Sequence, residues 1–211
     1  MELTKYEHAC FTLQKEGKTV IVDPGSFTHD LTIPSDVAVI VITHSHQDHF
    51  DTEHIDTIIA KNPTATILAP LEVTSQLPQY TTRAVQGGDS FALEGFDFDF
   101  YGDMHATISK DIPLIKNVGV LIEDRIYYPG DSFTIPDKSV DLLALPVAAP
   151  WLKISESIEF MKTVGARLTF PTHDAILSGT GISVVDSMIE PFAEATGTTY
   201  RRIDGQTIEI E

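Results

Sequence analysis

Residues 37–43, V-A-V-I-V-I-T, are the stretch that most restricts the fold of this chain. The side chains of a strand point alternately to its two faces, and here the positions on both faces are apolar. Such a strand is expected in the middle of a sheet that is covered on both sides, as in proteins whose strands alternate with helices. The run therefore predicts a buried central strand, and it ends directly at His44.

The rest of the chain alternates short strand-like runs with helix-like segments, and no linker, repeat or low-complexity stretch separates them. This pattern is typical of the α/β class, or of α+β in some schemes. A length of 211 residues is ample for one sizeable core, so the sequence predicts a single domain over residues 1–211.

Helix boundaries can be predicted from capping signals. Residues 51–61 are expected to form a helix that begins at an acidic or threonine cap, and residues 155–164 are expected to form another. Ser183, with Asp186 three positions later, has the pattern of a capping box and predicts the start of a further helix. Pro191 is expected to bend or end that helix.

Four strand-like runs each end at a residue that can bind a metal ion. Residues 37–43 lead to His44, 96–101 to His105, 125–128 to Asp131, and 167–170 to His173. Because sites in sheet proteins are commonly built from loops at strand ends, we expect these four residues to converge at one rim.

The loop after the central strand has the spacing of a metal site. In T-H-S-H-Q-D-H, residues 43–49, His44 and His46 are two positions apart, so in extended chain they point to the same side and can bind one ion. Asp48 and His49 follow the bend and offer a hard oxygen and an imidazole to a neighbouring ion. Holding two cations close together requires a bridging carboxylate, and Asp131 is the candidate.

Composition limits the partners. The formal net charge is -17, and a long polyanion such as RNA or DNA is therefore not an expected partner. One cysteine, Cys10, excludes an internal disulfide, and no apolar run of membrane-spanning length or signal-peptide character is present in the sequence. We expect a soluble cytoplasmic protein.

The metal-site motif and the residues that follow it resemble the metallo-β-lactamase superfamily. The similarity rests on T-H-S-H-Q-D-H, on His105, on the Asp of Y-P-G-D-S and on the His of F-P-T-H-D, whose order and approximate spacing agree across nearly the whole chain. The opening Y-E-H-A-C-F-T-L-Q-K-E-G-K-T-V-I-V-D-P-G further resembles the branch of small uncharacterised metal-dependent hydrolases and ascorbate-phosphate lactonase-like proteins. The resemblance implies an αββα sandwich of two mixed β-sheets flanked by helices.

The resemblance also implies a ligand set for two divalent metal ions. One ion is expected on His44, His46 and His105, and the other on Asp48, His49 and His173, with Asp131 bridging them. Asp23 matches an acidic residue that braces the histidine loop without binding metal, although an Asp before Pro is also an ordinary turn residue. Zinc is the default for such ligands, and manganese or iron would bind to the same set.

The implied reaction is hydrolysis. A metal-bound hydroxide would attack an ester, lactone or phosphoester of a small molecule, with Asp48 or Asp131 orienting the nucleophile. Three alternatives stay open: a phosphodiesterase or nuclease of the same fold, redox chemistry at iron, and a metal-binding domain without catalysis. The charge of -17 argues against the nuclease, and His49 and His173 favour two metals over a single iron.

Weaker signals suggest substrate contacts. His8 could project into the cleft as a substrate contact or proton donor, or be a structural histidine. His29 could cover the substrate or lie on the surface. The amides of Gly179 and Gly181 could receive an anionic group, or belong to a flexible turn. Trp151 could pack on the substrate at the rim of the site, or be a structural aromatic residue.

Overall fold

The computed structural model of the protein describes residues 1–210, and it divides into two compact units. Unit 1 comprises Met1–Gln86 together with the segment that starts at Ile203, and unit 2 comprises Gly87–Arg202. Each unit contains one seven-stranded mixed sheet and two helices. The sequence prediction of mixed sheets with helices is confirmed, while the single domain over residues 1–211 stays a prediction.

Unit 1 combines antiparallel and parallel pairing in one sheet. Its elements are β1 (Glu2–Lys5), β2 (Phe11–Lys15), β3 (Lys18–Val22), β4 (Val37–Val41), α1 (Thr52–Lys61), β5 (Thr66–Ala69), α2 (Leu71–Thr74), β6 (Thr82–Ala84) and β14 (Thr207–Glu209). The strand order is β14-β1-β2-β3-β4-β5-β6. Pairing is antiparallel from β14 to β3 and parallel from β3 to β6.

The sheet of unit 2 also combines antiparallel and parallel pairing. Its elements are β7 (Ser90–Leu93), β8 (Phe96–Tyr101), β9 (Gly119–Ile122), β10 (Ile126–Tyr128), β11 (Leu142–Pro146), α3 (Ile154–Val164), β12 (Leu168–Thr172), α4 (Gly179–Thr196) and β13 (Thr199–Tyr200). The strand order is β13-β12-β11-β10-β9-β8-β7. Pairing is antiparallel from β7 to β10 and parallel from β10 to β13.

The core of unit 1 explains why residues 37–43 carry apolar side chains on both faces. Ile40 of β4 packs in a buried cluster with Ile55 and Ile58 of α1, and the alternate residues Val39 and Val41 are fully buried as well. The strand is therefore central, as predicted. Helix α1 begins as predicted too, because Asp51 accepts hydrogen bonds from the amides of Glu53 and His54.

The last helix of unit 2 corrects one prediction. Helix α4 begins at Gly179 and its N-cap is Ser178, whose Oγ accepts the Gly181 amide at 3.2 Å, so the expected start at Ser183 is wrong. Ser183 lies inside the helix and donates its hydroxyl to the Gly179 carbonyl. The S/T-x-x-D pattern misled because an interior serine can bond to a backbone carbonyl four residues earlier.

Pro191 does not end α4, which continues to Thr196 and stops at Gly197 in left-handed backbone with a φ of 76°. Ile189 and Ala193, on either side of the proline, are buried in the core of unit 2. Apolar burial on both sides of the proline therefore holds the helix together across a residue that lacks an amide proton.

The chain offers no candidate for a membrane span among residues 1–210, since none of the helices there is both long and apolar enough to cross a bilayer.

Candidate metal centre

Asp23 organises the histidine loop of unit 1. It follows β3, has a positive φ of 43°, and is fully buried. Its Oδ1 accepts the Thr43 amide at 2.8 Å, and its Oδ2 accepts the Thr43 hydroxyl and the His49 Nδ1 proton, both at 2.7 Å. Asp23 is therefore more than a turn residue, because its main contacts are to the loop that carries the predicted ligands.

These hydrogen bonds determine which ring nitrogen of His44 and of His49 carries the lone pair. Thr43 Oγ1 lies 2.9 Å from His44 Nδ1, and its single proton is donated to Asp23. Thr43 must then accept a proton from His44 Nδ1, just as Asp23 accepts one from His49 Nδ1. In both neutral imidazoles the lone pair is consequently on Nε2, the atom that would bind a metal.

Gly25 allows the early loop to lie directly on the ligand loop. A Cβ at this position would be 1.9 Å from the carbonyl oxygen of Asp48, and the amide of Ser26 donates to the carbonyl of Gln47 at 2.8 Å. Only glycine permits this approach, which fixes the backbone of Asp48 and His49.

The other predicted ligands of unit 1, His46 and Asp48, lie close to His44 and His49. The His44 ring is 4.9 Å from the His46 ring and 4.1 Å from the His49 ring, measured between centroids. Asp48 Oδ2 lies 3.6 Å from His49 Nε2 and 3.1 Å from His8 Nε2.

His8 is fully buried, with its ring edge against Phe27 at 5.2 Å and against His49 at 5.6 Å. It is thus a buried partner of Asp48, and its role as a substrate contact stays a prediction. Cys10 lies nearby in sequence, and burial raises the pKa of its thiol to about 12, so it is neutral at physiological pH.

In unit 2, two predicted histidine ligands face the carboxylate of the third predicted ligand, Asp131. Asp131 Oδ2 lies 3.3 Å from His105 Nε2 and 3.0 Å from His173 Nε2. Asn117, which is fully buried, holds the loop by accepting the Asp131 amide at 2.9 Å and donating to the Pro129 carbonyl at 3.0 Å. Ala106, next to His105, donates its amide to the Asp131 carbonyl at 2.8 Å.

Main-chain carbonyls orient the two histidines of unit 2. His105 Nδ1 donates to the carbonyl of Ala106 at 2.5 Å, and His173 Nδ1 donates to that of Ala148 at 2.6 Å. A carbonyl can only accept, so Nδ1 carries the proton and Nε2 faces Asp131. Two imidazole lone pairs and a carboxylate oxygen repel one another unless a proton or a cation lies between them, so this donor set fits a metal ion.

Backbone strain also marks the site. Seven residues other than glycine have a positive φ among those described, and four of them, Glu16, Glu94, Glu123 and Asp124, lie in turns between antiparallel strands. The remaining three are His8, Asp23 and His173. Such conformations are unfavourable for side-chain-bearing residues and cluster at functional sites.

The other predicted substrate contacts are His29 in unit 1 and the glycines Gly179 and Gly181 in unit 2. His29 is exposed and lines a cleft of about 350 Å³ with Ser26, Thr28, Asp51, Glu53, His54 and Thr57. Gly179 and Gly181 form the first turn of α4, and the amide of Gly181 already bonds to Ser178. Substrate contact by any of these three residues stays a prediction.

The sequence predicted the ligand types and offered Asp23 as a brace for the histidine loop, but it missed the other groups that orient the ligands. Thr43, Asn117 and the carbonyls of Ala106 and Ala148 carry no sequence signal, because they act through hydrogen bonds fixed by the fold. Gly25 could have been suspected from the D-P-G turn that follows β3.

Comparison with known proteins agrees with the fold and the motif. The Beta-lactamase superfamily domain matches residues 2–173. Protein Rv0786c of Mycobacterium tuberculosis is 35% identical over 183 residues, which cover 84% of this chain and 86% of the relative. A UPF0173 metal-dependent hydrolase of Lysinibacillus sphaericus is 27% identical, over 70% of this chain and 73% of the relative.

A solved structure extends the agreement to the fold. The metallo-beta-lactamase fold protein YhfI of Bacillus subtilis aligns over 99% of both chains with a TM-score of 0.74, at 14% identity. The predicted metallo-β-lactamase fold is thereby confirmed. The family match covers most of the chain, including all seven predicted metal ligands, and the chain belongs to the beta-lactamase superfamily.

Proposed function

We propose that this metal-dependent hydrolase binds two divalent metal ions and cleaves an ester, lactone or phosphoester bond of a small molecule. One ion would be bound by His44, His46 and His105, and the other by Asp48, His49 and His173, with Asp131 shared between them. The relatives named metal-dependent hydrolases support the hydrolase class. Zinc is the first metal to test, followed by manganese and iron.

The observation that carries the proposal is the contact of one carboxylate oxygen with two oriented imidazoles. Asp131 Oδ2 faces both His105 Nε2 and His173 Nε2, which are the proposed ligands of different ions. A carboxylate that bridges two cations has to lie between ligands of both.

The residues of the chain have separable roles. Asp23 and the carbonyls of Ala106 and Ala148 keep the Nδ1 proton in place, so that the Nε2 atoms are available as ligands. Divalent ions bound there would lower the pKa of a water molecule to about 7 and polarise the bond to be cleaved. Asp48 and Asp131 are the carboxylates that we propose to orient the attacking water, and Asp48 is itself contacted by His8.

Metal content and activity test the proposal together. Protein purified without added metal is expected to contain about two equivalents of divalent metal by elemental analysis, and chelation should abolish turnover. Turnover should then return when zinc, manganese or iron is added back during assay against esters, lactones and phosphoesters.

Two histidine substitutions form a matched pair for the same test. His46→Ala should lose metal and turnover, whereas His29→Ala, at an exposed histidine of the cleft, should retain its metal. Unchanged metal content in His46→Ala would contradict the ligand set. An intact metal content without turnover of any substrate class would instead support a metal-binding domain without catalysis.

A further inference from the structure

Trp151 contacts the carboxylate of Asp131, the proposed ligand that His105 and His173 also face. Its Nε1 proton is donated to Asp131 Oδ2 at 2.8 Å. The indole N–H is a donor only, and it meets the same oxygen that faces His105 and His173. This contact separates Trp151 from an ordinary rim aromatic, which would present its ring to a ligand and its N–H to water.

The hydrogen bond from Trp151 restrains the Asp131 side chain, which could otherwise rotate even though its main chain is fixed. The Asp131 amide is bound by Asn117 and its carbonyl is bound by the amide of Ala106, so the main chain is fixed at both ends. The terminal torsion of an aspartate is nevertheless broad, and the carboxylate can rotate unless its oxygens are held. Trp151 holds Oδ2, and thereby sets which oxygen is directed at the two imidazoles.

The indole is itself held in place by aromatic contacts. Its ring packs edge to face on Phe133, with 5.2 Å between centroids, and stands edge-on to His105 at 6.0 Å and to His173 at 6.4 Å. Phe133 packs in turn on Phe160 of α3. The indole is therefore held by several contacts at once, together with its hydrogen bond to Asp131, and it does not depend on Phe133 alone.

We propose that Trp151 is a positioning residue for Asp131, and that its N–H sets the affinity of the site for metal. This inference rests on the proposed function, because it requires Asp131 to bind metal. Trp151 is the one tryptophan of the chain, so its fluorescence comes from the site and reports on it directly.

The test compares zinc binding by the metal-stripped wild type and by Trp151→Phe, using competition with a chromogenic chelator. The phenylalanine keeps an aromatic ring but lacks the N–H, and we expect the zinc affinity of the site to fall by about 10- to 100-fold. In the wild type, zinc should change the tryptophan emission with the midpoint that the chelator competition gives. Circular dichroism of the stripped variant checks that it is folded.

Phe133→Leu is the matched control, because it removes packing around Trp151 and leaves the N–H in place. Its zinc affinity should stay within about threefold of the wild type, since such losses require the loss of an oriented hydrogen bond.

Three outcomes would overturn the inference alone: wild-type affinity in Trp151→Phe, an equal loss in Phe133→Leu, or zinc binding that leaves the emission unchanged. A wild type that binds no zinc, manganese or iron would overturn the proposed function as well.

Discussion

The two units position their proposed ligands by different means. In unit 1, one buried carboxylate orients the loop, because Asp23 bonds to His49 directly and to His44 through Thr43. In unit 2, the carbonyls of Ala106 and Ala148 orient the histidines. A side-chain brace can be removed by one substitution and a main-chain brace cannot, so the proposed histidine ligands of unit 1 should be more sensitive than those of unit 2 to substitution of the residue that orients them.

The largest effect is expected at Asp23. Asp23→Ala leaves the protons of Thr43 and His49 buried without an acceptor and should lower the free energy of unfolding by about 3 to 5 kcal/mol. Zinc affinity should fall with it, because the orientation of two proposed ligands is lost. Urea unfolding and chelator competition measure both quantities, and Asp23→Asn preserves the volume if the alanine variant does not fold.

The matched change in unit 2 is Ala148→Gly, which keeps the carbonyl that orients His173. It should lower the free energy of unfolding by no more than about 1 kcal/mol and leave zinc affinity unchanged. Equal losses of zinc affinity at the two positions would remove the distinction between the units.

A second test concerns glycine packing. Gly25→Ala puts a methyl group 1.9 Å from the Asp48 carbonyl, so the ligand loop has to move, and the free energy of unfolding should fall by about 2 to 3 kcal/mol. Thermal denaturation measures the change. Gly179→Ala in unit 2 is the control, since a Cβ there meets nothing within 4 Å and its stability should be unchanged or raised by up to about 1 kcal/mol. A tolerated Gly25→Ala would show that the two loops are free to separate.

In unit 2, Asp174 lies next to the proposed ligand His173 and takes part in an ion-pair network with Arg202. Arg202 donates Nε to Asp186 Oδ2 at 2.6 Å and Nη2 to Asp186 Oδ1 at 3.0 Å, and it also pairs with buried Asp174, the neighbour of His173. Arg202→Met should lower the free energy of unfolding by about 2 kcal/mol, because Asp174 is left without its cation.

Lys162→Met provides the control for Arg202. It breaks an exposed pair with Glu159 on α3, and such pairs contribute at most about 1 kcal/mol. Similar stability losses in the two variants, measured by urea unfolding, would mean that the arginine network has no special role in unit 2.

The last effect is absent near neutral pH and appears only in alkaline solution. Burial raises the pKa of Cys10 in unit 1 from 9.0 to about 12, and burial also raises the pKa of Tyr127 and Tyr200 in unit 2 above 10.0. Above about pH 9 the unfolded chain therefore loses protons that the folded chain retains, and stability falls as the pH rises. Urea midpoints between about pH 8 and about pH 11 measure this decline.

Single substitutions divide the alkaline effect between the units. Tyr200→Phe should flatten the decline at the upper end of the range, and Cys10→Ala should flatten it from about pH 9. A decline that neither variant changes would mean that other groups, such as Tyr127, cause it.

The parts of the fold that could be predicted are those with a strong local signal. The central strand, the start of α1 and the helix predicted at residues 155–164 follow from apolar patterning and capping, and all three are confirmed, the last as Ile154–Val164. The edge strand Ser90–Leu93 was missed, because it is only four residues long and even its apolar face, Phe91 and Leu93, is only partly buried. The strand ending at His173 extends through Pro171 to Thr172, two residues beyond the predicted end at 170, because parallel pairing with β11 continues across the proline.

For the site, sequence could give the ligand types but not their orientation. The spacing in residues 44–49 is local and is visible in the sequence. The proton positions on His105 and His173 depend on carbonyls of Ala106 and Ala148, and the contact between Trp151 and Asp131 joins residues 20 positions apart. Such bonds depend on where the fold places the main chain, and residue identity alone does not encode them.

The edge strand β14 of the sheet of unit 1 follows unit 2 in the sequence and is therefore synthesised after it. Strand β14 pairs with β1 through Glu2 and Glu209, so its partner waits until all of unit 2 has been synthesised. During that interval β1 is an open edge on the nascent chain, able to pair with a neighbouring polypeptide. Synthesis of the chain thus includes a period in which this edge is exposed to misassembly, and that period ends only when β14 pairs with β1.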